Sequence, residues 1–225
     1  MKPLKQSLLL LASLASFNAA AASPFEGAYL GAYAGYGKAE DKGIGHWSSS
    51  GAVDGWTHQP EPRGFLLGAV GGYHWLVSDR VVLGLEADLE ARSNNSDRDI
   101  QKDKGVPDPD YKATTRIKGS SSLRGRLGYR LGEQALVFFT GGYTAASVKR
   151  TWHDEPSDRE SHSDIQGGWT AGFGLDYALS DKLAARIEYR HADYGTHKVT
   201  ARVWGEYYQQ KLTEDSLRFG LNYRF

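Results

Sequence analysis

The chain repeats a two-residue rhythm of apolar and polar positions. Residues 81–92 carry it most cleanly: Val81, Leu83, Leu85, Ala87, Leu89 and Ala91 fall on one side, and Gly84, Glu86, Asp88, Glu90 and Arg92 on the other. Successive side chains point to opposite faces only in an extended strand, so this period predicts β-strands with one greasy and one polar face. The same alternation runs through 183–190, and through the C-terminus, where Leu217, Phe219, Leu221, Tyr223 and Phe225 interleave with Arg218, Gly220, Asn222 and Arg224. It predicts eight strands, at about 25–37, 64–76, 81–92, 115–130, 135–149, 167–179, 183–193 and 214–225. Tight turns at Val77–Arg80, Leu131–Gln134 and Ser180–Lys182 alternate with four long polar connections that hold Pro60, Pro62, Pro107, Pro109 and Pro156. After Ser23, no window reaches the 18 apolar residues of a membrane helix.

A soluble sandwich or barrel also alternates, with its apolar face turned inward. The character of the two faces points the other way. The polar face mixes acids and bases with Gly84, Gly128, Gly172, Gly174 and Gly220, which suits a narrow, crowded interior. Lys118, Ser120, Ser122, Arg124 and Arg126 are assigned to that face. The apolar face ends in aromatics such as Tyr73, Trp75, Tyr129, Trp169, Tyr177 and Tyr189, where a membrane–water boundary would lie. The expected fold is all-β: an eight-stranded antiparallel transmembrane up-and-down β-barrel with short turns at one end and long loops at the other. Its lumen would hold a charge network of Glu86, Asp88, Glu90, Arg124, Arg126, Asp176, Arg186, Glu188, Arg190 and Arg218, acid against base in place of water. Eight strands leave room inside only for side chains, which argues against a wide pore.

Composition adds an address. Lys2 and Lys5 precede an apolar stretch from Leu8 to Phe17, followed by Ala19–Ala22, the order of a secretory signal peptide cleaved after Ala22. The expected division is therefore signal peptide 1–22 and barrel 23–225. The 225 residues carry 27 Lys+Arg and 27 Asp+Glu, and loss of Lys2 and Lys5 leaves a small negative charge. Without a basic surplus, nucleic acid is not an expected partner. There is no Cys, so no disulfide supports the exported chain.

Phe25–Gly31, Gly71–Trp75 with Gly84–Asp88, Leu123–Tyr129, Thr140–Gly142, Gly172–Tyr177, Ile187–Arg190 and Gly220–Phe225 together resemble the porin/opacity-type small outer-membrane β-barrel proteins of Gram-negative bacteria. The resemblance covers nearly all strands and stops in the loops. It implies an outer-membrane location among lipid and lipopolysaccharide. It also implies that Phe219, Leu221, Tyr223 and Phe225 act as the signal for the barrel assembly machinery.

The candidates for catalytic chemistry are His153 with Asp154, His162 with Ser163, and His191 with Asp193; solvated loop or strand-end positions suit them better, since adjacent strand residues face opposite ways. His74 is expected to be a hydrogen-bonded interior residue. Asp97, Asp99, Asp103, Asp108 and Asp110 lack the spacing of a calcium loop and are expected in a solvated loop. Trp47, Trp56, Trp152 and Trp204 lie in or beside long loops, as ligand contacts or as loop packing. The expected function is a non-enzymatic envelope role with surface-exposed loops, no cofactor and at most a narrow solute path. The alternatives are an adhesin or ligand-binding barrel and, behind it, a lipid-modifying enzyme.

Overall fold

In the computed structural model, which describes residues 24–93, 96–154, 158–201 and 206–225, every alternating segment is a strand. The expected signal segment 1–22 lies outside the described residues. Among the described residues ten strands form: β1 (Gly27–Trp47), β2 (Val53–His58), β3 (Arg63–Leu76), β4 (Val81–Ser93), β5 (Ser96–Asp103), β6 (Val106–Leu131), β7 (Ala135–Asp154), β8 (Asp158–Ala178), β9 (Leu183–Ala201) and β10 (Glu206–Arg224). Neighbours pair antiparallel in the order β10-β9-β8-β7-β6-β4-β3-β1, and β1 pairs in turn with β10 from Tyr29↔Arg224 to Trp47↔Glu206. The pairing thus returns to its start near the tight turns, whereas beyond Trp169↔Asp193 the long ends of β8 and β9 are no longer paired with each other.

Ten strands replace the expected eight because two segments read as loops are themselves paired. Beside β1, β3 runs only to the Lys38↔Arg63 pair, and β2 takes over from Gly43↔His58. Beside β6, β4 reaches Ala91↔Gly119, and β5 continues from Ser96↔Arg116. β2 and β5 pair with each other, so they stand in line with β3 and β4 and carry the wall further. The other strands grow at the same end: β7 runs to Asp154, where the alternation had suggested 149, and β6 starts at Val106, not 115. Most of what looked like polar loop is therefore strand. The β5–β6 link is just Lys104–Gly105, both at positive φ (47° and 86°), the backbone of a two-residue hairpin turn.

Bulges explain why the extensions were missed. The β6–β7 register slips between Ile117 and Gly119, and the β9–β10 register between Lys211 and Thr213. In the first slip the extra residue is Lys118 on β6 and in the second it lies on β9 between Asp193 and Thr196, and the phase of the alternation changes on those two strands. At the first slip Ile117 is fully buried and Lys118 is exposed, which corrects the assignment of Lys118 to the interior face.

The two faces also exchange character along the strands. Near the tight turns, β1 shows Leu30, Ala32, Ala34 and Tyr36 outward, and past Gly37 it shows Lys38, Glu40 and Lys42. On β6 the outward set changes from Leu123, Leu127 and Tyr129 to Arg116 and Lys118. The outward apolar stretches, such as Phe65 to Trp75 and Leu217 to Phe225, are about the length at which a tilted strand crosses a bilayer. Aromatics bound this belt: Trp75, Tyr129, Tyr177 and Tyr223 at the turn end, and Tyr36, Phe65, Trp169 and Tyr189 at the other.

Candidate functional site: the filled interior

The inward face stacks in layers. At the turn end Phe25, Val82, Leu136 and Ala178 form an apolar floor with Leu76. Above it, Asp176 receives Arg186 Nε (2.8 Å) and Arg126 Nη2 (2.6 Å), while Glu86 receives Arg186 Nη1 (3.1 Å) and the Tyr29 hydroxyl (2.6 Å). The Arg126 guanidinium lies 3.6 Å from the centre of the Phe138 ring, where the ring's negative face supplies further attraction. Space between Tyr29, His74, Asp176 and Asn222 amounts to about 20 Å³, enough for roughly one water.

Arg124 occupies the next layer, where the strand register sets it opposite Glu86. Its Nη2 reaches Glu86 Oε1 (2.6 Å) and Asp88 Oδ2 (3.2 Å), and its Nη1 pairs with Glu188. Arg190 reaches Asp88 (3.2 Å) and donates to Thr170 (2.9 Å) and Thr144 (3.1 Å). One layer higher, Arg218 and Arg92 hold Glu90 at 2.8 and 2.5 Å, and Arg92 also pairs with Glu214. All ten residues named from the sequence are buried in these layers, each acid against at least one guanidinium. A buried charge is tolerable only with such a partner, since each ion has given up its water. Gly174 shows how tight the filling is: a Cβ there would come within 2.6 Å of the Phe138 ring.

Sequence reasoning left out several residues here, Arg92, Glu214, Tyr29 and Tyr33 among them. Arg92 and Glu214 follow the same alternation as Glu90 and Arg218 and were legible. Tyr29 and Tyr33 face inward from β1, where an aromatic residue gives no sign of which face it takes; Tyr33 donates to Asp88 (3.3 Å).

Further up, apolar clusters share the interior with isolated buried polar groups. Ala39, Ile117, Ala146, Val148, Ala192, Tyr194 and Leu212 form one buried cluster, and Ala113, Trp152, Val199 and Tyr208, with Trp56 against them, form another. Between these clusters Arg150 grips Asp41 through Nε (2.7 Å) and Nη2 (2.9 Å), and the Thr115 hydroxyl adds 2.6 Å. His58 lies 2.7 Å from the Gln210 amide, and burial holds its basicity below the ordinary imidazole range, against the pull of Asp41. At the tip, partial burial and the nearby Asp54 charge push Glu206 up to about 7; burial likewise raises Asp54. Trp56 and Trp152 are thus packing residues, Trp47 is exposed, and Trp204 lies outside the described residues.

The remaining candidates separate. His191 bonds not with Asp193 but with Asp215 (2.8 Å) on the outer face, beneath Trp169, because β9–β10 pairing sets His191 opposite Asp215. His162 and Ser163 leave their strand on opposite faces, and the side chain of Asp154 is outside the described residues. His74 is buried as expected, but its Nε2 has no hydrogen-bond partner among the described residues and the ring rests on Tyr29 at 4.5 Å. Asp97 and Asp99 are on β5, not in a loop; they accept the Glu61 and Gln59 amides (2.8 and 2.7 Å) and tie down the link between β2 and β3. Asp103 ends β5, while Asp108 and Asp110 lie on β6. Among the described residues, no group of three His, Cys, Asp or Glu is placed to hold a metal. Phe219, Leu221, Tyr223 and Phe225 all project outward.

Comparison with known proteins agrees with this architecture. A family model described as outer membrane protein beta-barrel domain matches residues 7–225. The 31 kDa outer-membrane immunogenic protein of Brucella melitensis is 32% identical over 165 residues, covering 72% of this chain and 67% of that one. The 25 kDa outer-membrane immunogenic protein of Brucella abortus is 26% identical over 206 residues, covering 88% and 78%. Among solved structures, the outer membrane protein OprG of Pseudomonas aeruginosa superposes with a TM-score of 0.58 at 13% identity, covering 89% of this chain and 98% of that one; this likeness concerns the fold.

Proposed function

The chain belongs to the outer membrane protein beta-barrel domain family, and from that premise we propose that β1, β3, β4 and β6–β10 close as an eight-stranded up-and-down barrel spanning the outer membrane through its ionic half. β2 and β5 extend the wall beyond the lipid, so long strands carry the surface above the bilayer. Residues 1–22 direct export. The outward C-terminal residues Phe219, Leu221, Tyr223 and Phe225 serve as the assembly signal, in the manner of porin/opacity-type barrels. The ten buried charges serve as a structural network that seals the lumen.

The role is a non-catalytic one in the envelope: a sealed barrel that displays a surface. The observation that carries this reading is the filled interior, in which ion pairs and apolar clusters alternate from floor to tip. Planar-bilayer recording tests it: the purified barrel adds no stepwise conductance. Steady porin-like steps would contradict the sealed lumen.

A second reading, contact with an extracellular ligand, rests on one hairpin tip. Trp47 and Val53 stay 45% and 61% exposed there, an apolar pair without cover.

A further inference from the structure

Outward charges just beyond the apolar belt behave differently on the two sides of the wall. On β1, β3, β9 and β10 most are paired: Lys38 with Glu61 (2.8 Å), Lys42 with Glu40 (2.9 Å), Arg63 with Glu61 (3.2 Å), Lys211 with Asp193 (3.9 Å) and His191 with Asp215 (2.8 Å), while Lys198 lies over the Tyr207 ring. On β5–β7 four outward cations, Arg98, Arg116, Lys118 and Lys149, make no ion pair among the described residues. Pairing aligns Arg116 with Lys149 across β6–β7, and the Ile117–Gly119 bulge adds Lys118 to the same face. Their outward neighbours in register, Ser96 and Ser163, are uncharged hydroxyls. Three adjacent cations repel one another and gain from a shared anion.

Directly beneath them the outer face is hollowed. A shallow groove of about 710 Å³ crosses the strands, lined by Ala69, Ala91, Gly119, Ala145, Ser147 and Ile165 among others, and mostly apolar. Lys118 adjoins Gly119 in the chain, and Lys149 is the next outward residue after Ser147. Positive charge above and an apolar trough below complement an amphiphile with a phosphorylated head and hydrocarbon tails.

We propose that this face binds a phosphorylated glycolipid of the outer leaflet, with its phosphates against Arg116, Lys118 and Lys149, an acyl chain in the groove, and sugar hydroxyls facing Ser96 and Ser163. The assignment rests on the membrane orientation proposed above. Each cation near an anionic lipid surface contributes a several-fold gain in affinity.

The test titrates detergent-purified full-length protein with three lipids: lipid A bearing two phosphates, the same lipid with its phosphates removed, and phosphatidylglycerol. Heat-modifiable migration of each variant is measured first, so failure of the barrel reading shows on the gel and failure of this inference shows only in the titration. The combined Arg116→Ser, Lys118→Ser, Lys149→Ser variant is expected to bind diphosphorylated lipid A about a hundredfold more weakly. The single Lys118→Glu change, at an exposed site, is expected to weaken it by at least about tenfold. Lys38→Ser with Lys42→Ser, on the paired side, leaves affinity within about twofold. Unchanged affinity in the triple variant, equal loss in the paired-side control, or equally tight binding of phosphatidylglycerol or of the dephosphorylated lipid would each overturn the proposal.

Discussion

The half of the molecule near the tight turns and the half near the hairpin tips are built from the same continuous strands with opposite polarity. Near the turns, Arg124, Arg126 and Glu86 lie inside, and Leu123, Leu127 and Leu85 outside. Near the tips, Ile117, Trp152 and Leu212 lie inside, and Arg116, Lys149 and Lys211 face outward. A chain in one solvent has no reason to invert its faces partway along a strand. The inversion therefore marks a change of surroundings, from hydrocarbon, where outward charge is expensive, to water, where outward leucine is.

The ionic half should be the more sensitive to loss of a partner. Arg124→Ala with Arg126→Ala strands Glu86, Asp88 and Asp176 with fewer counter-charges, and breaking a buried pair costs about 3–5 kcal/mol. The two losses share Glu86 and will not simply add. The measurement is the temperature at which the folded gel band disappears, expected to fall steeply; an unchanged temperature would mean that the network contributes little.

The apolar half should respond locally. Leu212→Ala empties a fully buried site and costs about 2–5 kcal/mol, expressed as faster amide exchange in Leu212's neighbours on β9 and β1 and not in β4. Exchange that rises uniformly through both halves would show a single cooperative unit and blur the contrast.

How far the pattern could be read depended on its phase. Between the tight turns and about Gly37 or Gly119 the alternation is unbroken, so strand faces, turns and all ten interior charges were legible from residue order. Beyond those points bulges at Ile117–Gly119 on β6 and between Asp193 and Thr196 on β9 shift the phase, and the outward face becomes polar. A run such as Lys38–Lys42 then resembles a loop although it is paired throughout. The Asp41–Arg150 pair was hidden for the same reason: its partners are 109 positions apart, and neither segment had been read as wall in which they could meet.

A smaller effect sharpens the contrast on the outer surface. Leu89→Arg puts charge at a lipid-facing site and should cost about 2–4 kcal/mol when unfolding is measured from a bilayer, while Lys42→Leu beyond the belt should stay within about 0.5 kcal/mol. Equal costs would remove the distinction between the two surroundings.

The smallest expected effect is a pH response at the tip. Glu206 is raised to about 7 by partial burial and by Asp54, so its ionised form disfavours the folded tip. That penalty is absent below the ordinary carboxylate range, grows as pH rises toward 7, and is complete above it. Acidification from pH 8 to 5.5 should therefore raise the protection of the amides around Glu206 and Tyr207 relative to their intrinsic exchange, and Glu206→Gln should flatten that profile. An unaltered profile in the variant would assign the response elsewhere.

The inversion itself can be measured directly, because the chain has no cysteine of its own. Single cysteines at Leu30, Leu67 and Leu89, and at Lys42, Lys118 and Lys149, would each carry a nitroxide label in a reconstituted bilayer. Collisions with dissolved oxygen should dominate at the first three sites, and collisions with a water-soluble nickel chelate at the other three. Free access of the chelate to the labels at Leu30, Leu67 and Leu89 would show that those faces meet water, and the membrane assignment would be wrong.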